Sequence, residues 1–174
     1  RDIFFEDLVA RAFREVGQKD IVLSTPGRSR EDMTVSGVRL SIKTETGYGT
    51  HPERITITKL STTEETEWVS SALIDRILRH LEEYERILML RVIWCDPPGF
   101  RYQLLEVPKD LLARMAEIEV QPTGRRRDKP SLKGAVVAEG NKCFDVFFDA
   151  TDGKCVIRNL MVSQCELLTQ WDYH

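Results

Sequence analysis

Long apolar runs are missing from this chain. No stretch approaches the roughly 18–20 residues that a membrane-spanning helix requires, and none has the form of a signal segment. Positive charge is not in excess either: the formal net charge is −3. A global basic field of the kind that advertises nucleic-acid binding is therefore absent, and any such role must rest on local patches. Histidine occurs only as His51, His80 and His174. No two of them sit at helical ligand spacing, and three scattered histidines build neither a zinc site nor a catalytic triad. No Walker-type or GxGxxG glycine loop is present. Cysteine is scarce, with Cys95, Cys143, Cys155 and Cys165 and no CxxC pair, which points to reduced structural thiols in a cytoplasmic protein. The first residue is Arg1 rather than methionine, which leaves the true N-terminus open.

What is present suits a single domain over residues 1–174. Hydrophobic residues make up 41% and charged residues 30%, a balance that supports a packed core and argues against disorder. In chain order, Phe5, Leu8, Val9, Ala12, Phe13 and Val16 recur at helical spacing over residues 3–17. Ile21-Val-Leu23 is a short strand. Thr25 to Glu31 is a loop by its Pro-Gly and serine content. Asp32 to Glu45 then reads as two strands joined by a tight turn at Ser36-Gly37. On the second of them, Val38, Leu40, Ile42 and Thr44 point to an apolar face, and Arg39, Ser41, Lys43 and Glu45 to the other. Pairing around the turn brings Asp32 toward Ser41 and Lys43.

Arg54 to Leu60 alternates as a further strand. Ser61-Thr-Thr-Glu64 has the form of a capping box opening a helix over about residues 63–84. Val69, Leu73, Ile77, Leu78 and Leu81 form its buried stripe, with Arg76, Arg79, Glu82 and Glu83 facing outward. Ile87 to Trp94 is a nearly continuous apolar run, as a strand buried on both faces would be. Arg101–Val107 is another strand, and Pro108 starts a helix to about Ile118. Gln121 to Lys129 is polar, basic and turn-rich. The runs 132–139, 143–149 and 155–162 follow, separated by the hairpin signals Gly140-Asn141 and Asp152-Gly153. The expected architecture is α/β: a mixed sheet flanked by helices over residues 1–120, with a β-rich C-terminal subregion over 121–174. Trp68, Trp94 and Trp171 are read as packing residues.

The order of elements, with an acid on one strand and x-Lys on the next, resembles the PD-(D/E)XK nuclease superfamily and, within it, the type II restriction endonucleases. Glu31-Asp32 stands where Pro-Asp would stand, and Ser41-Ile42-Lys43 where Glu-x-Lys would stand. The likeness covers about residues 3–94. It departs from the family pattern at Ser41, because that position normally holds a metal-binding acid. Some restriction enzymes similarly carry Ser-x-Lys and recruit an acid from elsewhere. Glu45 is the nearest substitute; Glu53, Glu64, Glu65 and Glu67 are others, and Glu6 is the first-helix glutamate that family members often add.

The resemblance implies a restriction-endonuclease-like fold and a sequence-specific endonuclease that hydrolyses double-stranded DNA with Mg2+, for which Mn2+ would substitute. Asp32, Glu45 and the Ile42 carbonyl would hold the cation, and Lys43 would hold or deprotonate the attacking water. Ser41 and Glu6 complete the expected catalytic group. DNA contacts would fall to Arg28, Arg30, Tyr48, Arg125, Arg126, Arg127, Lys129, Arg158 and Asn159, with the β-rich region as a possible recognition element. A homodimer is expected, with a cognate DNA methyltransferase as a genetic partner. The competing readings are a non-catalytic DNA-binding or assembly module on the same fold, and a repair or recombination nuclease of the same superfamily.

Overall fold

The computed structural model describes residues 2–24, 32–95, 99–124 and 128–173, with side chains from Glu6 onward. Helix α1 (Asp2–Glu15) is followed by β1 (Ile21–Leu23), β2 (Met33–Val35), β3 (Val38–Glu45) and β4 (Arg54–Thr62). Helix α2 (Ser70–Leu81) leads into β5 (Arg86–Cys95) and β6 (Gly99–Val107). Helix α3 (Lys109–Ala113) runs on as a 3-10 turn, Arg114–Glu117. The remainder is β7 (Gln121–Thr123), β8 (Ser131–Ala138), β9 (Asn141–Asp149), β10 (Lys154–Met161) and β11 (Glu166–Tyr173). The strands form two sheets, in the orders β1-β2-β3-β5-β6-β11 and β4-β10-β9-β8-β7.

The β2–β3 hairpin closes as its turn chemistry dictates. Ser36 (φ 50°) and Gly37 (φ 82°) both take positive φ, the signature of the two-residue turn whose twist matches the flanking strands. Met33, Thr34 and Val35 pair with Leu40, Arg39 and Val38. β3 then runs parallel to β5, from Leu40 opposite Arg86 to Glu45 opposite Arg91. Such a parallel pair needs a crossover, and β4 and α2 supply it. β5 lies inside the sheet between β3 and β6, which explains its unbroken apolar run.

β3 separates two apolar clusters. Leu40 and Ile42 join Met33, Val35, Leu88 and Ala10 of α1 on one side. The larger core packs Ile55, Ile57 and Leu60 of β4, Leu73, Ile77 and Leu81 of α2, and Phe144, Val146 and Phe148 of β9. Ser41 and Lys43 alternate away from the α1 side, as the period-2 pattern requires.

Three features differ from the sequence expectations. Ser61 and Thr62 do not cap a helix; they pair with Cys155 and Lys154 of β10, and the Thr63 amide donates to the Gly153 carbonyl at 2.7 Å. A distant strand has outcompeted the local cap, and α2 starts only at Ser70, with Val69 at its N-cap and no side-chain cap bond. The C-terminal strands are also not laid on a finished sheet: β10 pairs with β4, and β11 returns to pair with β6. β7 and β11 are strands beyond those expected, and every residue of β11 is exposed. Among the described residues no helix is long and apolar enough to cross a membrane.

Candidate active site

Asp32 sits one residue ahead of β2, and its amide donates to the Leu40 carbonyl at 2.9 Å, which extends the hairpin by a step. Its carboxylate then reaches across to β3. Oδ2 accepts the Ser41 hydroxyl at 3.1 Å and the Ile42 amide at 2.5 Å, with Lys43 Nζ at 3.9 Å. Three successive residues of β3 thus address one carboxylate oxygen. The amide and carbonyl of a strand residue point to the same edge. The Ile42 carbonyl therefore shares the edge that meets Asp32, where β2 has already ended.

Helix α2 closes the space over this carboxylate. Arg76, His80 and Glu83 line a groove of about 720 Å³ together with Asp32, Lys43, Glu6 and the β4 segment from Ile57 to Thr62. His80 Nδ1 lies 2.7 Å from Glu83 Oε2, and Arg76 reaches Glu83 at 3.8 Å. Burial holds the His80 imidazole below its ordinary pKa; Lys43 and Arg76 add to this, and the neighbouring Glu83 opposes it. The His80 ring meets the fully buried Tyr84 edge-on at 5.2 Å. Burial raises the Tyr84 phenol well above its ordinary value, and the charges of Asp32 and Glu83 raise it further.

Glu45 does not join the groove, contrary to its expected role as second metal ligand. Its Oε2 is bound by Arg91 Nε at 2.8 Å, and its Oε1 accepts the Thr56 amide at 3.0 Å. Arg91 is completely buried and also donates to Gln103 Oε1 at 3.0 Å and the Arg54 carbonyl at 2.8 Å. Both oxygens of Glu45 thus serve a structural hub. Glu53, Glu64, Glu65 and Glu67 do not line the groove either, whereas Glu6 does. Among the described residues no three His, Cys, Asp or Glu side chains converge as a metal cluster.

The expected DNA-contacting residues are scattered. Glu31, Arg28, Arg30 and Arg125 to Arg127 lie outside the described residues. Tyr48 is 83% exposed just beyond β3 and packs on Trp94 with ring centroids 5.1 Å apart. Lys129 lies over the Trp68 ring at 4.5 Å, and Arg158 over Phe147 at 4.6 Å. Asn159 donates to Asp145 at 2.7 Å. None of these four lines the groove. Sequence reasoning missed Arg76, His80, Glu83 and Tyr84 as site residues. A signal was available: at helical spacing, residues 76, 80 and 83 fall on one face of the expected 63–84 helix, a polar stripe beside the apolar one, although α2 itself ends at Leu81 and Glu83 lies just past it.

A family model described as SmaI, type II site-specific deoxyribonuclease, matches residues 4–173. The chain belongs to this family. It is also similar to the type II restriction enzyme SmaI of Serratia marcescens, with 31% identity over 173 aligned positions, covering 95% of this chain and 70% of that protein. A solved structure of a restriction endonuclease in complex with substrate DNA aligns at a TM-score of 0.32 with 20% identity, over 63% of this chain. The chain spans about half of that structure, 47%. Family membership places the chain among type II site-specific deoxyribonucleases.

Proposed function

We propose that this protein is a restriction endonuclease of the PD-(D/E)XK type, which hydrolyses double-stranded DNA at a specific sequence in the α2-covered groove. The observation that carries this reading is the convergence of Ser41, Ile42 and Lys43 on the Asp32 carboxylate, in a chain of the type II deoxyribonuclease family.

The donor chemistry fits Mg2+. This cation is held by one or two carboxylates together with waters and substrate phosphate, so a complete protein cage is not required. The described contacts of Asp32 fall on Oδ2, which leaves Oδ1 for the groove. Asp32 and the Ile42 carbonyl would hold the metal, with Glu83 rather than Glu45 as the second carboxylate; Mn2+ has the same taste for oxygen donors. Bound there, the cation would offset phosphoryl charge and make a water more acidic.

The chain's own residues do the rest. Lys43 orients the attacking water and balances charge on the scissile phosphate. Arg76, at the groove wall, meets a non-bridging phosphate oxygen. His80 holds the Glu83 carboxylate in place, and Glu6 adds negative charge at the opposite wall. Lys129, Arg158 and Asn159 belong to a more distant surface, where they would meet the DNA outside the cleavage site. Two copies acting on a symmetric site, in the cytoplasm and beside a cognate methyltransferase gene, complete the proposal.

Purified protein with Mg2+ should cut long duplex DNA into discrete bands. Asp32→Asn and Lys43→Met should each abolish the bands while keeping the wild-type circular dichroism spectrum. A smear would replace this reading with a non-specific nuclease. DNA binding without cutting, in Mg2+ and in Mn2+, would replace it with a non-catalytic binding module.

A further inference from the structure

Ser41 occupies the place where the family pattern has an acid, and its surroundings give the serine a task of its own. The side chain is buried, 2% exposed, and its hydroxyl lies 3.1 Å from Asp32 Oδ2. An ionised carboxylate only accepts, so the single Ser41 proton goes to Asp32. The Ser41 oxygen still has lone pairs, in a site closed to solvent. The backbone brings Tyr84 to this end of β3, since the Glu85 amide donates to the Arg39 carbonyl at 2.9 Å and Ser41 stands opposite Ile87, and the Tyr84 hydroxyl is buried with no hydrogen-bond partner among the described residues. A buried hydroxyl left without a partner is destabilising. The Tyr84 ring is meanwhile held from two sides: His80 packs edge-on, and Lys109 Nζ donates to the Tyr84 carbonyl while lying 5.7 Å from its ring centre. Its phenol stays protonated at neutral pH because burial opposes the charged form.

We propose that Tyr84 and Ser41 form a hydroxyl relay, Tyr84 donating to Ser41 Oγ and Ser41 to Asp32 Oδ2, which fixes the carboxylate with its other oxygen toward the groove. Tyr84 is a positioning residue. The serine is then an orienting group and not the vestige of a lost ligand. A glutamate at position 41 would set a second charge against Asp32 and beneath a buried phenol, whereas a hydroxyl binds Asp32 without adding charge. The relay rests on the reading of Asp32 as a metal donor.

The test is Mn2+ binding to the full chain without DNA, by calorimetry or electron paramagnetic resonance. Partners that orient a metal ligand are worth about 10–100-fold in affinity. Tyr84→Phe should weaken Mn2+ binding about tenfold, and Ser41→Ala at least as much. Ser41→Thr, which keeps a hydroxyl, should restore most of the affinity. In the Ser41→Ala background, Tyr84→Phe should change nothing further, because the path to Asp32 is already cut. Unchanged affinity in Tyr84→Phe, or independent additive losses, would overturn the relay. If Tyr84→Phe fails to fold, the Ser41→Ala and Ser41→Thr pair decides: equal losses overturn it. Asp32→Asn separates the two levels. Wild-type Mn2+ affinity in that variant sinks the metal-site reading itself; lost affinity there beside unchanged affinity in Tyr84→Phe sinks only the relay.

Discussion

Arg91 and Glu45 stand opposite each other on the parallel β3–β5 ladder and form a buried ion pair, Nε to Oε2 at 2.8 Å. The pair takes the acid closest in sequence to Lys43 out of the groove. It also anchors the segment that follows β3, since Arg91 binds the carbonyls of His51 and Arg54. Removing one partner of such a pair leaves the other charge buried and uncompensated, at a cost of about 3–5 kcal/mol. Arg91→Ala should therefore lower the urea midpoint by that equivalent. Glu45→Gln, which keeps an acceptor for Arg91, should cost less and keep the Mg2+ dependence of cleavage at the wild-type concentration. A shift of that dependence by tenfold or more would return Glu45 to the metal site.

Glu83 is predicted to behave in the opposite way. Glu83→Gln should reduce cleavage about 10²–10³-fold, the scale of losing one charged stabiliser of the transition state. Its thermal unfolding should stay close to wild type, because the amide still accepts from His80. Cleavage of plasmid DNA over a Mg2+ series, run beside Glu45→Gln, checks the ranking. Chelating the metal should stop the reaction in every variant.

Thiol chemistry reports on the packing between the sheets. Cys95 is exposed, while Cys143 and Cys155 are buried. Burial raises the Cys165 thiol to about 11 and the Cys155 thiol further still. At pH 8 an aromatic disulfide reagent should label Cys95 rapidly and Cys165 slowly. Cys143 and Cys155 should react only in guanidinium. Rapid labelling of Cys155 in native protein would contradict the β10–β4 pairing, since that pairing covers it.

Acid should loosen the second sheet through Asp145. Burial pushes its carboxyl upward, but hydrogen bonds from Asn159 and Lys142 outweigh burial and hold it below the ordinary carboxylate value. A depressed folded pKa means the stabilisation is complete above the unfolded value near 4 and fades as pH falls through the folded value. Melting temperatures of wild type and Asp145→Asn should thus differ at pH 6 and draw together as pH falls below the ordinary carboxylate range. A gap that persists at low pH would show that the Asp145 charge is not its cause.

Much of the first sheet was legible without coordinates, because its information is local. A two-residue turn at Ser36-Gly37 sets the register of β2 against β3. That register alone sends Asp32 toward Ser41 and Lys43, and the period-2 alternation sends Leu40 and Ile42 to the opposite side. The apolar run of β5 likewise announced an interior strand. The helix start at Ser61 failed for the converse reason: hydrogen bonds from β10, some 90 residues away in the chain, were stronger competitors than a local cap. The alternation of Thr169, Trp171 and Tyr173 with Gln170 and Asp172 was a strand signal in β11, but nothing local named β6 as its partner.

The sequence by itself determined the hairpin, the approach of Asp32 to Ser41 and Lys43, and the alternation that parts those two residues from Leu40 and Ile42. Turns and alternation depend only on near neighbours, so they can be read along the chain. Tertiary structure alone decided which carboxylates line the groove. Glu45 and Glu83 are alike as residues, yet the neighbouring strand β5 gives Glu45 to Arg91, while the turn after α2 sets Glu83 on the groove beside His80. Glu45 is claimed by a residue 46 positions away, a long-range contact that no local pattern records.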